Sequence, residues 1–228
     1  MRVVQNGNGS ELIFTLFQWL AASLESFRGE YGVVVAVVVV MATLIAQRLF
    51  FDGSFAEAAR SVGLFAPKVR GAVIAIGISL IMMLTLPVYA QATGTKFSLL
   101  PNWPWLFVGM FFQGGIAEET LFRGYLYGYF RRRNAFWRAA AMSAIPFVIV
   151  HFLIFFTMDW MIAAASVALA VVMSFPLARL FDLGGQTIWP PAILHFIAQA
   201  GVKLFLIEGD SAPIFPFVWM LVCAVVPY

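Results

Sequence analysis

Long apolar runs set the terms for any fold of this chain. Stretches at about 11–27, 31–51, 71–91, 104–130, 135–157, 159–180, 187–207 and 212–228 each approach the roughly 20 residues a helix needs to cross a hydrocarbon core. Within lipid every backbone N–H and C=O must be satisfied inside its own segment or sheet, so such runs fold as helices. Charged residues are 11% and hydrophobic residues 62% of the chain, against a soluble norm of roughly 25% charged. The expectation is an all-α, polytopic transmembrane helical bundle of about eight spans, forming a single membrane domain over 1–228. The first stretch is the weakest, because it carries Gln18 and ends near Glu25. Seven spans plus an interfacial N-terminal helix is the alternative. No signal peptide is expected, since Arg2 is the sole early basic residue and Glu11 interrupts the first apolar run. The single cysteine, Cys223, excludes an intrachain disulfide and multi-cysteine metal sites.

A net charge of +3 does not call for a nucleic-acid partner, because basic residues in a membrane chain are first explained by orientation. With the Arg131-Arg132-Arg133 loop cytoplasmic, alternation puts Arg2, Arg48, Arg60, Lys68, Arg70, Arg138 and Arg179 on the same side. Glu25, Glu30, Asp159, Glu208 and Asp210 fall on the other, with Arg28 and Lys96 as basic exceptions. Both termini are then cytoplasmic. Trp103, Trp105 and Trp160 lie near the outer ends and Trp137 near an inner end, as an aromatic belt requires. The less apolar piece from Phe50 to Lys68 is expected along the cytoplasmic surface.

One segment breaks the apolar pattern at depth. Glu118, Glu119 and Arg123 sit within the run 104–130, and ionisable groups at membrane depth point to function. The chain has two histidines, His151 and His195, each inside an apolar helix. Arg131 back to Glu118, Arg138 forward to His151 and Asp182 forward to His195 are the same distance, 13 residues. That is about 20 Å of helix. The glutamates and both histidines are therefore expected in one layer. Glu119 and Arg123, four apart, share a face and can pair, whereas Glu118 is rotated by about 100° and left freer to exchange a proton. Gly114-Gly115, Gly184-Gly185 and Pro190-Pro191 are candidate irregularities that admit water, or, for Gly114 and Gly115, sites of close helix packing.

Taken in order, Glu118-Glu119-x-x-x-Arg123, Phe147-x-x-x-His151, and His195 four residues before Gln199 resemble the intramembrane CAAX-protease and bacteriocin-processing (CPBP or Abi) family. Its eukaryotic relatives include the Ras-converting CAAX endoprotease. The resemblance covers a catalytic core at about 104–207, and Ser61-Val62-Gly63-Leu64 with Pro67 is similar to an upstream element of the family. It implies that Glu118 and His151 activate water for attack on a peptide bond and that Glu119 and Arg123 order the site, with Phe147 in support. It also implies that His195 and the residue at 199 stabilise the oxyanion. The family usually has Asn in that last slot, and this chain has Gln199.

The implied activity is that of an intramembrane endopeptidase on a membrane-associated peptide or protein. Its setting would be a bacterial inner membrane, with association in a larger membrane complex left open. A catalytically silent member serving as scaffold, assembly factor or accessory subunit is the alternative that Gln199 raises. A proton-coupled transporter is a third, though no internal repeat supports it. Members of the family have been named metalloproteases, and Glu118, His151 and His195 would be the zinc ligands. The soluble zinc signature of two histidines flanking a glutamate on one turn is absent, so a metal-free mechanism is the expectation.

Overall fold

The computed structural model describes residues 28–51 and 53–228; the helix expected at 11–27 lies outside them. Each of the other expected stretches is helical. Helix α1 spans Arg28–Phe51, and its run Val37-Val38-Val39-Val40 would disfavour a helix in water. In lipid the need to satisfy every backbone group overrides that preference. Its close packing against the helix Trp103–Met110 depends on missing side chains: a Cβ on Gly32 would run into the backbone of Gly109.

A short helix, α2 (Phe55–Ser61), follows, closed by a capping box in which Ser54 Oγ accepts from Glu57 N at 3.2 Å and Glu57 Oε2 accepts from Ser54 N at 2.7 Å. The Ser54 backbone N–H and hydroxyl hold the Glu57 carboxyl below its usual range. The chain then turns at Gly63, whose φ of +81° favours glycine. Helices α3 (Val69–Met83) and α4 (Thr85–Thr93) together make one long apolar segment.

The expected span 104–130 is helical but not uniformly α. Helix α5 (Trp103–Met110) runs into a π-helical segment, Phe111–Ala117; a second π segment, Thr120–Tyr127, leads to α6 (Gly128–Arg131). Glu118 and Glu119 sit at the junction of the two π segments. Wide turns of this kind recur at functional sites because they re-aim successive side chains.

A tight turn holds Asn134, whose amide donates to Phe130 O at 2.9 Å, and leads into α7 (Phe136–His151). A 3₁₀ turn (Phe152–Phe156) extends α7. Helix α8 (Trp160–Leu183) is capped by Asp159, whose carboxylate accepts from Met161 N at 2.9 Å. Helix α9 (Trp189–Lys203) starts with Pro190 and Pro191 in its first turn, where a missing N–H costs nothing. These prolines begin the helix rather than break it. The expected stretch 187–207 ends as a helix at Lys203, because Phe205–Glu208 forms strand β2, antiparallel to β1 (Lys96–Leu99) with Phe97 opposite Ile207. A 3₁₀ turn, Ala212–Ile214, precedes α10 (Phe215–Val225).

Among the described residues, four helical segments are long and apolar enough to cross a membrane alone: Tyr31–Leu49, Val69–Thr93, Phe136–Phe156 and Trp160–Leu183. The protein is an integral membrane, all-α bundle. Its largest core cluster gathers α3, α8, α9 and α10 around Met82, Leu177, Leu194, Phe215 and Trp219. Trp105 and Trp160 are exposed near one end and Trp137 near the other, the placement of an interfacial belt. At the Trp137 end Arg131 Nε pairs with Asp182 Oδ2 at 3.1 Å, and Tyr127 donates to the same oxygen at 3.0 Å. Arg131 and Asp182, two of the three residues from which depth was counted, therefore share a level.

Candidate active site

The residues expected in one layer meet there. Glu119, fully buried, receives Arg123 Nη1 on its Oε1 at 3.0 Å, and His195 Nδ1 on the same oxygen at 2.7 Å. A carboxylate only accepts, so the His195 proton is on Nδ1. The pairing of Glu119 with Arg123 follows from their spacing. Its hold on His195 does not, because it depends on how the π segments present the glutamate to α9.

Glu118 is the freer of the pair. Its side chain is 25% exposed, and its Oε2 lies 3.8 Å from His195 Nε2 with no hydrogen-bonding partner among the described residues. Glu119 Oε2, Thr120 Oγ1 and Arg123 Nη2 also lack partners among the described residues. Buried polar atoms require one, and a water molecule can supply it here.

Phe147 is the apolar hub of the site. Arg123 lies over its ring with the guanidinium carbon 4.2 Å from the centroid, a desolvated cation–π contact. The rings of Phe122, His151 and His195 meet it edge-on at 4.9, 4.5 and 5.9 Å. One turn further on, at the end of α7, His151 Nδ1 bonds Phe147 O at 2.8 Å. A carbonyl accepts, so this nitrogen carries the proton and Nε2 keeps a lone pair. The local bond that fixes the tautomer was not read from the sequence, although the i to i+4 spacing of Phe147 and His151 permits it.

Gln199 reaches His195 with its amide Nε2 3.1 Å from the imidazole Nε2. Space for it comes from Gly114, where a Cβ would strike the Gln199 amide. Close packing is therefore what Gly114 serves, and the π segment brings its bare backbone against α9. His151, His195 and Gln199 line a cavity of about 140 Å³ whose other walls include Leu169, Met173 and Trp219.

For zinc the donors fit poorly. No group of three His, Cys, Asp or Glu side chains among the described residues converges on a point a metal could occupy. At His195 the nitrogen that Glu119 leaves available already faces the Gln199 amide.

Residues 100–201 match the family model described as type II CAAX prenyl endopeptidase Rce1-like, in agreement with the CAAX-protease-like pattern of the glutamates and histidines. No curated protein matches the chain.

Proposed function

We propose, from the match of residues 100–201 to the Rce1-like family model, that this protein is an intramembrane endopeptidase cutting a membrane-associated peptide or protein. Glu118, His151, His195 and Gln199 do the chemistry, and Glu119, Arg123 and Phe147 hold them. The observation that carries this reading is the unpartnered Glu118 Oε2, 3.8 Å from His195 Nε2, beside a cavity into which two histidines from separate helices converge.

In the proposed reaction a water donates a proton to Glu118, assisted by the Nε2 lone pair of His151, as its oxygen bonds to the scissile carbonyl carbon. The carbonyl oxygen becomes an oxyanion and accepts from the Gln199 amide, and from His195 when its Nε2 has taken a proton from solvent, a proton it keeps through the step while the amide N–H turns to the oxyanion. Collapse breaks the C–N bond, and the proton taken from water passes to the leaving amine. No step is routed through a metal. The silent-scaffold alternative rested on Gln199; the amide reaches His195 at 3.1 Å despite its extra methylene, which favours the active reading. The setting proposed is a bacterial inner membrane, with the Arg131–Arg133 loop cytoplasmic.

The test replaces Glu118 with Gln and follows released peptides in a membrane proteome, with thermal unfolding of the purified variant measured in parallel. The expected result is loss of processing with a wild-type melting temperature. Glu119 cannot serve as the folding control, since it anchors both Arg123 and His195. Undiminished processing by the Glu118→Gln protein would end the catalytic reading.

A further inference from the structure

The hydrogen-bond chain through His195 continues past Gln199. Residues 195, 199 and 203 recur every four positions and so form one stripe along α9. Lys203 Nζ donates to Gln199 Oε1 at 3.4 Å, Gln199 Nε2 to His195 Nε2 at 3.1 Å, and His195 Nδ1 to Glu119 Oε1 at 2.7 Å. Arg123 closes the chain on that same oxygen.

Each link has a direction. An ammonium can only donate, so it faces the oxygen end of the amide and leaves the N–H end for His195. Turning the amide over would set two donors against each other at Lys203 and two acceptors against each other at His195 Nε2. The neighbouring backbone of Gly114 leaves room for the amide where a Cβ would not.

We infer that Lys203 is a positioning residue: it orients the Gln199 amide so that its N–H end faces His195 and the cavity, the end an oxyanion requires. Gln199 is longer than asparagine by one torsion, and the lysine one turn on removes that freedom. The catalytic consequence rests on the peptidase reading; the amide orientation and the His195 tautomer do not.

The chain's two histidines make the test direct. The full chain is labelled with ¹⁵N-histidine, reconstituted in nanodiscs and observed by NMR, with His151→Gln assigning the spectrum. Wild type should show His195 protonated at Nδ1, with a hydrogen-bonded, unprotonated Nε2. Lys203→Met should move the Nε2 resonance toward its unbonded position, and Lys203→Arg should restore it. Lys203→Glu, which accepts instead of donating, should turn the amide over and bring a proton to Nε2. In a Gln199→Ala background Lys203→Met should add nothing.

Unmoved His195 resonances in Lys203→Met and Lys203→Glu, or an undiminished Lys203→Met shift without Gln199, would overturn the inference. In the peptide-release assay Lys203→Met should slow processing by about three- to tenfold and Lys203→Arg should recover it. Slowing by Gln199→Ala but not by Lys203→Met would refute the catalytic role of the orientation. If the resonances behave as expected while wild type releases no peptides, the peptidase reading fails and the orientation stands.

Discussion

Gly114→Ala separates folding from chemistry at a single methyl group. The new Cβ would overlap the Gln199 amide, and restoring ordinary contact needs a retreat of about 1 Å. From 3.1 Å, a retreat of that size breaks the bond to His195 Nε2. What must move is the far end of a flexible side chain, so the fold yields cheaply. Replacing glycine inside a helix returns roughly 0.5–1 kcal/mol of stability. Loss of one oxyanion donor, by contrast, costs about 10² to 10³ in rate; a Gln199 that finds a second path to the oxyanion sets a floor of about tenfold.

The assay is peptide release by the reconstituted protein, paired with thermal unfolding in detergent. Gly77→Ala serves as the comparison, since a Cβ there meets nothing within 4 Å among the described residues. The expected outcome is a melting temperature at or above wild type for both variants, with processing reduced only in Gly114→Ala. Wild-type processing by Gly114→Ala, or a loss of rate that merely follows loss of folded protein, would refute the role given to the Gln199 amide.

Two further outcomes follow from packing. Arg123→Met strips Glu119 of its cationic partner, leaving it the His195 N–H, and Phe147 of the guanidinium above it; breaking a buried ion pair costs about 3–5 kcal/mol. It should appear as a large drop in melting temperature, and an unchanged melt would contradict the pairing. Gly124→Ala sets a methyl against the backbone carbonyl of Val62, which has no rotamer to escape into. The expected cost is about 1–3 kcal/mol, read by the same melt, and unaltered stability would deny the contact.

Much of the site was legible because membrane burial makes charge expensive, so Glu118, Glu119 and Arg123 stood out against their surroundings. Helical rise did the next step: equal residue counts from Arg131, Arg138 and Asp182 put the glutamates and histidines at one depth, and Arg131 does pair with Asp182. The contact of Glu119 with His195 was not legible, since it depends on the π segments flanking the glutamates. Local sequence does not encode a widened turn; the two π segments hold Gly114 and Gly124, against which the Gln199 side chain and the Val62 backbone pack. The β1–β2 ribbon was missed for a related reason. Phe205-Leu206-Ile207 reads as the apolar end of a helix, and only its pairing with Lys96–Leu99 makes it a strand.

The turn at Gly63 bears on where this protein can be divided. Thr187 shares its hydroxyl proton between the carbonyls of Gly63 and Phe65, each 2.7 Å away, and Ile188 N donates to Gly63 O at 3.1 Å. The loop that launches α9, and with it His195, is thus tied to residues well upstream of the 100–201 match. Severed at its sequence boundary, that segment would leave a buried threonine hydroxyl and a helix-starting amide without acceptors, and Gly124 facing no backbone. The match begins at residue 100, while the smallest unit able to hold His195 in register reaches back at least to Val62.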